Sequence, residues 1–298
     1  MGRFPVWLRS NADGFLALLI AVAVGLIGVL DVFNADQILP EATLLVLALL
    51  ATTLLRDRRK SAQMLADRDS VRMINGPEVG QVHAKAHRDS EQWMFKGGTG
   101  TYLRAVTLPE CVESARSAKR PLRMQVEIID PTDELLCHEY ARYRSSLSPG
   151  PDRTGEPWTV DRTRKESFAT VLAACWYRQR FNFLKVEVGL SKVMTTFRWD
   201  LSSEWVLLTQ EDPAAPAMLF DKTRPHYRAY NRELMASFEQ TRRVDLDRAR
   251  ELTLAAEPTI DETRKLFAVL DMELPGTFTD RDVTDLIRRA IRPKNPYW

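Results

Sequence analysis

Residues 93–131, WMFKGGTGTYLRAVTLPECVESARSAKRPLRMQVEIIDP, decide the predicted fold. Residues 93–95 and 122–129 have the apolar composition of buried strands, and residues 101–119 between them have helical character. The pair Asp130-Pro131 ends the second strand, because this dipeptide is typical of a turn. A strand, a helix and a second strand in this order predict a βαβ unit with two parallel strands.

Further elements extend this pattern towards the C-terminus. We expect helices and strands in turn, at residues 132–143 (helix), 160–180 (helix), 183–189, 193–201, 205–209 and 217–220 (strands), and 227–242, 260–270 and 280–291 (helices). The predicted fold class is therefore α/β, with a mostly parallel sheet and C-terminal helices. We assign residues 91–250 to the α/β domain and 251–298 to a helical appendix.

Two apolar runs precede this domain, at residues 14–30 and 38–55. Both are apolar around the whole helix circumference, which is typical of a segment surrounded by lipid. A core helix and a cleaved signal peptide are the alternatives, and the immediate second run argues against each. We predict a transmembrane helical hairpin over residues 1–55, followed by a stalk and linker over 56–90.

The charges beside the runs predict an orientation. Arg3 and Arg9 lie before the first run, a basic cluster at residues 56–60 follows the second, and the short connection contains no Lys or Arg. Because basic residues stay on the cytoplasmic side, both termini are expected there. The predicted location is the bacterial inner (plasma) membrane, in a multi-pass arrangement with the lipid bilayer as a partner.

Small residues recur on one face of the first run. Ala21, Gly25 and Gly28 lie close to one another on that face if the segment is helical. Close packing within the hairpin is one interpretation of this face. The formation of a homo-oligomer through the same three residues is the other.

Overall composition excludes some functions. The chain contains 42 basic and 40 acidic residues, so it lacks the concentrated basic excess of a nucleic-acid-binding protein. Cys111, Cys137 and Cys175 lie far apart in the sequence and lack the CxxC spacing of a zinc site. We expect them to be small buried residues in a reducing compartment, and we predict no metal site.

The strongest candidate site is the loop Lys96-Gly97-Gly98-Thr99-Gly100. Glycines let backbone N–H groups approach an anion, and the following helix directs its positive end to the same place. Asp130 ends the next strand, so it should lie at the same sheet edge, where open α/β sheets bind ligands. These six residues are the predicted ligand-binding site, and a glycine-rich turn without a ligand is the alternative.

The loop matches no complete nucleotide-binding motif. A P-loop would continue with Gly-Lys-Ser/Thr, and Leu103 stands where a dinucleotide fingerprint requires its third glycine. The sequence therefore identifies no cofactor and no set of catalytic residues.

A second motif is His83-Ala84-Lys85, followed by His87. It is similar to the HxKx4D motif of phospholipase D-like phosphodiesterases, except that Ser90 occupies the position of the Asp. The layout of strand, helix and strand over residues 93–131 also resembles half of that fold. This resemblance, which covers about forty residues, implies a non-catalytic relative. A solvated polar linker is the simpler interpretation of residues 83–89.

Residues 197–200, FRWD, alternate between apolar and charged side chains, as in a half-buried strand. Arg198 and Asp200 then share one face of that strand. We expect a structural ion pair between them, with a role in a pocket as the alternative.

Taken together, these features predict a membrane-anchored sensor or effector. Its domain would bind a phosphorylated small molecule or a protein partner and couple this binding to the hairpin. The architecture resembles that of two-helix membrane effectors of bacterial defence and signalling. A scaffold that recruits a protein partner, helped by the aromatic residues 297–298, is one alternative. A phosphodiesterase-type hydrolase is the other, although a binding protein fits the sequence better than an enzyme.

Overall fold

In this computed structural model the described residues are 47, 50, 52–54, 56–61, 71–147, 155–212 and 215–296. The chain divides into two compact units, Met1–Asp69 and Ser70–Trp298. The described positions of the first unit are all helical. The second unit contains the sheet and the helices described below. Residues 72–74, which the sequence placed in a helical stalk, form a strand of that sheet.

The predicted transmembrane hairpin requires a correction. Nowhere in the described part of the chain is a helix both long enough and apolar enough to cross a bilayer. Residues 56–61 are helical and carry five charged side chains, so they belong to the predicted stalk and add no membrane-spanning length. The prediction of a multi-pass inner-membrane protein is therefore wrong on this structure.

Much of the sequence behind that prediction lies outside the described residues. This applies to the whole of the run 14–30, to the small-residue face of Ala21, Gly25 and Gly28, and to the aromatic residues 297–298. Of the run 38–55, the structure describes only positions 47, 50 and 52–54.

Strands and helices alternate through the first half of the second unit. Its strands are β1 (Arg72–Ile74), β2 (Gln92–Lys96), β3 (Leu122–Ile129), β4 (Leu184–Ser191), β5 (Phe197–Ser202), β6 (Trp205–Gln210), β7 (Ala217–Asp221) and β8 (Arg242–Val244). Its α-helices are α1 (Gly76–Asp89), α2 (Leu108–Ser117), α3 (Glu134–Leu147), α4 (Val160–Arg180), α5 (Pro225–Glu239), α6 (Ile260–Val269) and α7 (Asp280–Ile291). A π-helix, Leu103–Thr107, precedes α2, and a 3-10 helix, Leu246–Ala249, follows β8.

All eight strands form one mixed sheet in the order β1-β7-β6-β5-β2-β3-β4-β8. Only the pairs β2–β3 and β3–β4 are parallel, and the other five pairs are antiparallel. The predicted βαβ unit is therefore confirmed, but the prediction of a mostly parallel sheet is wrong. Two residues connect β5 to β6 and six connect β6 to β7, and such short connections permit only antiparallel pairing.

The main core lies on one face of the sheet. There the alternate residues Met124, Val126 and Ile128 of β3 pack under the helices α1, α2, α4, α6 and α7. The ring of Phe267 in α6 packs edge-on against Phe168 of α4, with ring centroids 5.0 Å apart. On the opposite face, α5 covers Met94 and the strands β5 to β7 in a smaller core.

The π-helix interrupts the predicted helix of residues 101–119 just before Pro109. Proline has no N–H to donate within a helix, and its ring collides with the carbonyl of the preceding turn. The wider π-turn, Leu103–Thr107, relieves this conflict and lets α2 begin at Leu108 with Pro109 in its first turn. The same turn places the side chain of Arg104 in the protein interior, where it is 2% exposed.

Candidate functional site

The glycine loop and Asp130 lie side by side at one edge of the sheet. The N–H of Gly97 donates to the carbonyl oxygen of Glu127 at 3.1 Å, and the N–H of Ile129 donates to that of Gly98 at 3.0 Å. The parallel pairing of β2 and β3 thus brings the six predicted residues together. Their role in ligand binding stays a prediction.

Side chains of the chain itself occupy the space around the glycines. A Cβ atom at Gly98 would lie 2.1 Å from the hydroxyl of Tyr140, and one at Gly97 would lie 2.8 Å from the ring of Phe95. Gly100 has a φ of +74°, a conformation that favours glycine over other residues. The loop needs glycine because these side chains approach its backbone closely.

The charged groups of this edge also have partners within the chain. The ammonium group of Lys96 donates to Ser237 Oγ at 2.5 Å and lies 3.5 Å from Glu127 Oε1. Arg242 binds Asp130 through its Nε at 3.1 Å and through its Nη2 at 2.9 Å. Lys96 and Asp130, the two charged residues of the predicted ligand site, are therefore both bound to side chains of neighbouring elements.

The connection between β4 and β5 passes over the same edge. Because β5 pairs with the far side of β2, residues 192–196 must span three strand spacings, about 14 Å. The six Cα–Cα steps from Ser191 to Phe197 reach about 20 Å when extended, so the connection is long enough for this crossing. Tyr143 donates its hydroxyl to the carbonyl oxygen of Thr196 at 3.3 Å and fastens it to α3. This crossing covers the edge where open α/β sheets usually bind ligands.

A carboxylate of the chain lies beside the helix that follows the glycine loop. Glu166 in α4 accepts a hydrogen bond from Thr101 Oγ1 at 3.1 Å and ion pairs from Arg104 and Arg289. Burial alone raises the pKa of Glu166, but the charges of the two arginines outweigh it and hold the pKa below its ordinary value. The carboxylate of Glu166 thus provides, within the chain, the negative charge that we expected a bound ligand to provide near this helix.

A small cavity of about 40 Å³ lies next to this carboxylate. Its lining includes five basic residues, Arg104, Arg288, Arg289, Arg292 and Lys294, together with Glu156 and Glu166. Arg289 is committed to three carboxylates, those of Glu156, Glu166 and Asp285. Pockets for nucleotide-sized ligands are about 300–1,000 Å³, so this cavity accommodates at most a small anion or water.

The histidine motif lies in the protein interior, and its interpretation as a solvated linker is wrong. His83 and His87 lie on the buried face of α1 and are each 1% exposed; both rings contact that of Trp93, and His83 also contacts Trp205. Burial, and then the nearby charge of Arg198, lowers the pKa of His83 well below its ordinary value. A histidine held in this way is inaccessible to a phosphodiester, so the motif does not provide a nucleophile.

The predicted pair of Arg198 and Asp200 is confirmed. Arg198 Nε donates to Asp200 Oδ2 at 2.8 Å, and Trp93 Nε1 donates to Asp200 Oδ1 at 3.2 Å. Arg198 also lies 3.3 Å from His83 Nε2 through its Nη2. These contacts join α1, β2 and β5, which makes the pair part of the core. The three cysteines are likewise free and buried, as expected.

A groove of about 910 Å³ lies beside β4, and no sequence pattern predicts it. It lies between the last turns of α4, the strand β4 and the 3-10 helix. Its lining includes Arg178, Gln179, Lys185, Val186, Leu246, Arg250 and Thr253. The size is that of a site for a small molecule or a peptide segment.

The edge of β4 that faces this groove is only partly paired. β8 pairs with β4 only from Val188 to Leu190, although β4 begins at Leu184. Among the described residues, neither the N–H nor the C=O of Val186 makes a hydrogen bond on the side of β8. The open edge arises because β4 is longer than β8. The sequence does not show that these two strands pair, so it could not predict the edge.

Charges around the groove leave a positive excess. Asp247 pairs with Arg178, and Glu187 lies 3.2 Å from the Nη2 of Arg123. Lys185 and Arg250 form no ion pair with the part of the chain that the structure describes. The hydrogen bond from Arg178 lowers the pKa of Asp247 most, and the charges of Arg250 and Lys185 add to this effect.

Comparison with known proteins gives no family for this chain. No protein-family model matches the sequence, and no curated protein matches it.

Proposed function

We propose that the second unit of this chain is a protein-binding domain and that the groove beside β4 receives a segment of the partner. The observation that carries the proposal is the unpaired backbone of Val186 at the floor of a groove of about 910 Å³. An open strand edge of this kind can pair with an incoming backbone, because its N–H and C=O groups point away from the sheet. A bound partner supplies the missing hydrogen bonds.

The comparison with the glycine loop supports this choice of surface. Lys96, Asp130 and Glu166 all have partners within the chain, so an anionic ligand would have to displace at least one of them. Lys185 and Arg250 at the groove need no such displacement. Binding at the groove therefore begins without the loss of an existing contact.

A phage-displayed library of random peptides, selected on the full chain, tests the proposal. The exposed residue Thr253 lines the groove, so Thr253→Trp fills it without entering the core. Thr277→Trp is the matched control, because Thr277 is also exposed and lies outside the groove lining. We expect selected peptides to bind Thr253→Trp about tenfold more weakly than the original chain, and Thr277→Trp equally well. Failure to enrich any peptide, or equal binding by both variants, would contradict the proposal.

A second candidate function is the binding of a small phosphorylated ligand near Thr101. The excess of basic residues around the cavity of about 40 Å³ favours it, and Lys294 has no ion pair among the described residues. Calorimetric titration with inorganic phosphate tests it, with Lys294→Ala as the weakened variant and Lys265→Ala as the control. Absence of binding heat, or identical titrations for the two variants, would exclude this candidate.

A further inference from the structure

We propose that the partner segment is an extended strand that pairs with the free half of β4 and continues the sheet in line with β8. This inference rests on the proposed function and specifies the class of partner. It requires a segment of another protein that alternates apolar and polar side chains and places a carboxylate near Lys185. The backbone, the shape of the groove and its charge each support one part of this statement.

The direction of the backbone groups supports strand pairing. The N–H of Leu122 donates to the carbonyl of Phe183, and the N–H of Asp130 donates to that of Ser191, both at 3.0 Å. Odd-numbered residues of β4 therefore point their polar groups at β3, and even-numbered residues point theirs at the opposite edge. Val188 and Leu190 use them to pair with β8. Val186 offers an N–H and a C=O to the empty position beside them.

The position beside Val186 is open because β8 ends at Val244, opposite Val188. After Val244, the side chain of Asp245 accepts a hydrogen bond from the N–H of Asp247 at 3.1 Å and starts the 3-10 helix. The helix carries the backbone away from the sheet. β8 leaves about 13 Å of β4 uncovered, from Leu184 to Glu187, and within this stretch the N–H of Leu184 donates to the carbonyl of Phe181 at 2.9 Å. Three or four residues of an incoming strand fit this length.

The shape of the groove favours an extended segment over a second copy of the domain. The free edge lies at the floor of the groove, between Gln179 of α4 and Leu246 of the 3-10 helix. A second copy would have to bring its own β4 to this edge, and that strand lies between the same two walls. A single strand without flanking structure reaches the floor, and main-chain pairing of this kind is a common mode of peptide recognition.

The two sides of the groove predict the side chains of the segment. Val186 and Cys175 face the main core side, so an apolar side chain fits there. Lys185 projects from the opposite face of β4, where it forms no ion pair with a described residue. Because residues alternate along a strand, the neighbouring position should carry a carboxylate that pairs with Lys185.

The first test removes one backbone donor from the chain. Val186→Pro deletes the N–H that faces the groove and leaves the hydrogen bonds to β3 intact, because those come from Lys185 and Glu187. Val186→Ala is the matched control, since it also loses apolar volume but keeps the N–H. With a peptide selected on the original chain, we expect about tenfold weaker binding by Val186→Pro than by Val186→Ala. Equal binding by the two variants would overturn the inference.

The second test modifies the peptide and does not depend on the folding of a variant. Each backbone nitrogen of the selected peptide is methylated in turn, which removes one donor at a time. Strand pairing predicts that every second methyl group weakens binding, because alternate residues face β4. A peptide that responds to Thr253→Trp but shows no such alternation would retain the proposed function and overturn strand pairing. A chain that dimerises through β4, with dimers lost in Val186→Pro, would show that the occupant is a second copy and overturn the inference.

Discussion

Two edges of the same sheet differ in how their polar groups are satisfied. Where β2 and β3 end, Lys96, Asp130 and Glu166 all bind side chains of the chain itself. Along the first half of β4, the N–H and C=O of Val186 have no partner among the described residues. The first edge has the amino-acid composition of a ligand site, but its polar groups are paired. The second edge lacks that composition, but its backbone groups are available to a partner. Unsatisfied groups indicate a binding surface better than loop composition does, because a folded chain can use glycines and charges for its own packing.

The largest change in the free energy of unfolding is expected from substitution of Glu166, the buried carboxylate beside the first edge. Glu166→Ala leaves Arg104 and Arg289 without their shared buried partner. Breaking a buried pair costs about 3–5 kcal/mol, because the remaining charges stay out of water. Glu113→Ala removes an exposed partner of Arg116 and should change the free energy of unfolding by less than about 0.5 kcal/mol. Urea unfolding of both variants measures this difference, and similar values would show that Glu166 is not needed to balance the arginines.

A smaller loss is expected from the glycine that lies against Tyr140. Gly98→Ala forces a methyl group into the space of the Tyr140 hydroxyl, which donates to Glu211 at 2.7 Å. Such overpacking costs about 1–3 kcal/mol. Gly276→Ala is the control, because a Cβ there meets no atom within 4 Å. If Gly98→Ala unfolds at the same temperature as Gly276→Ala, the loop has free space and the ligand prediction for it gains support.

The sequence predicts the contacts at these edges only where the contacting residues lie close together along the chain. The βαβ unit and the adjacency of the glycine loop to Asp130 follow from local patterns and a single crossover. The ion pair of Arg198 and Asp200 follows from the two-residue repeat of one strand. The position of Glu166 beside Thr101, 65 residues away, depends on how α4 packs, and no local pattern contains that information.

The order and direction of the strands also depend on contacts between residues that are distant in the sequence, so local patterns did not predict them. The strands β5, β6 and β7 were recognisable from composition, but the prediction of a parallel arrangement gave too little weight to their short connections. The vacancy at Val186 depends on where β8 stops, and the sequence predicts a helix that ends at Arg242 and no element at residues 243–244. Short edge strands are the elements that composition identifies least well.

The buried histidine predicts a dependence of stability on pH. The pKa of His83 is low in the folded state and ordinary, about 6.5, in the unfolded state. Below pH 6.5 the unfolded chain therefore binds a proton that the folded chain does not, and stability falls by up to about 1.4 kcal/mol per pH unit. Above pH 6.5 this contribution is constant. His83→Gln should reduce the slope between pH 6.5 and 5, whereas His226→Gln, at an exposed site, should not. Equal slopes would place the pH dependence elsewhere.

The smallest change in stability is expected at the groove itself. Lys185 is exposed and forms no ion pair with a described residue, so Lys185→Ala should alter the free energy of unfolding by less than about 0.5 kcal/mol. The same substitution should weaken the binding of an acidic peptide about threefold, because it removes one exposed charge pair worth less than about 1 kcal/mol. Lys265→Ala is the control for both measurements. A large loss of stability in Lys185→Ala would mean that the groove residue serves the fold.

Hydrogen exchange of backbone amides, with and without a selected peptide, tests the central claim most directly. The N–H of Val186 has no partner among the residues that the structure describes, so it should exchange rapidly and become protected by about tenfold or more when the peptide binds. The amides of residues 97–100 should exchange at the same rate in both samples. Protection of residues 97–100 without protection of Val186 would contradict the account and return the binding site to the glycine loop.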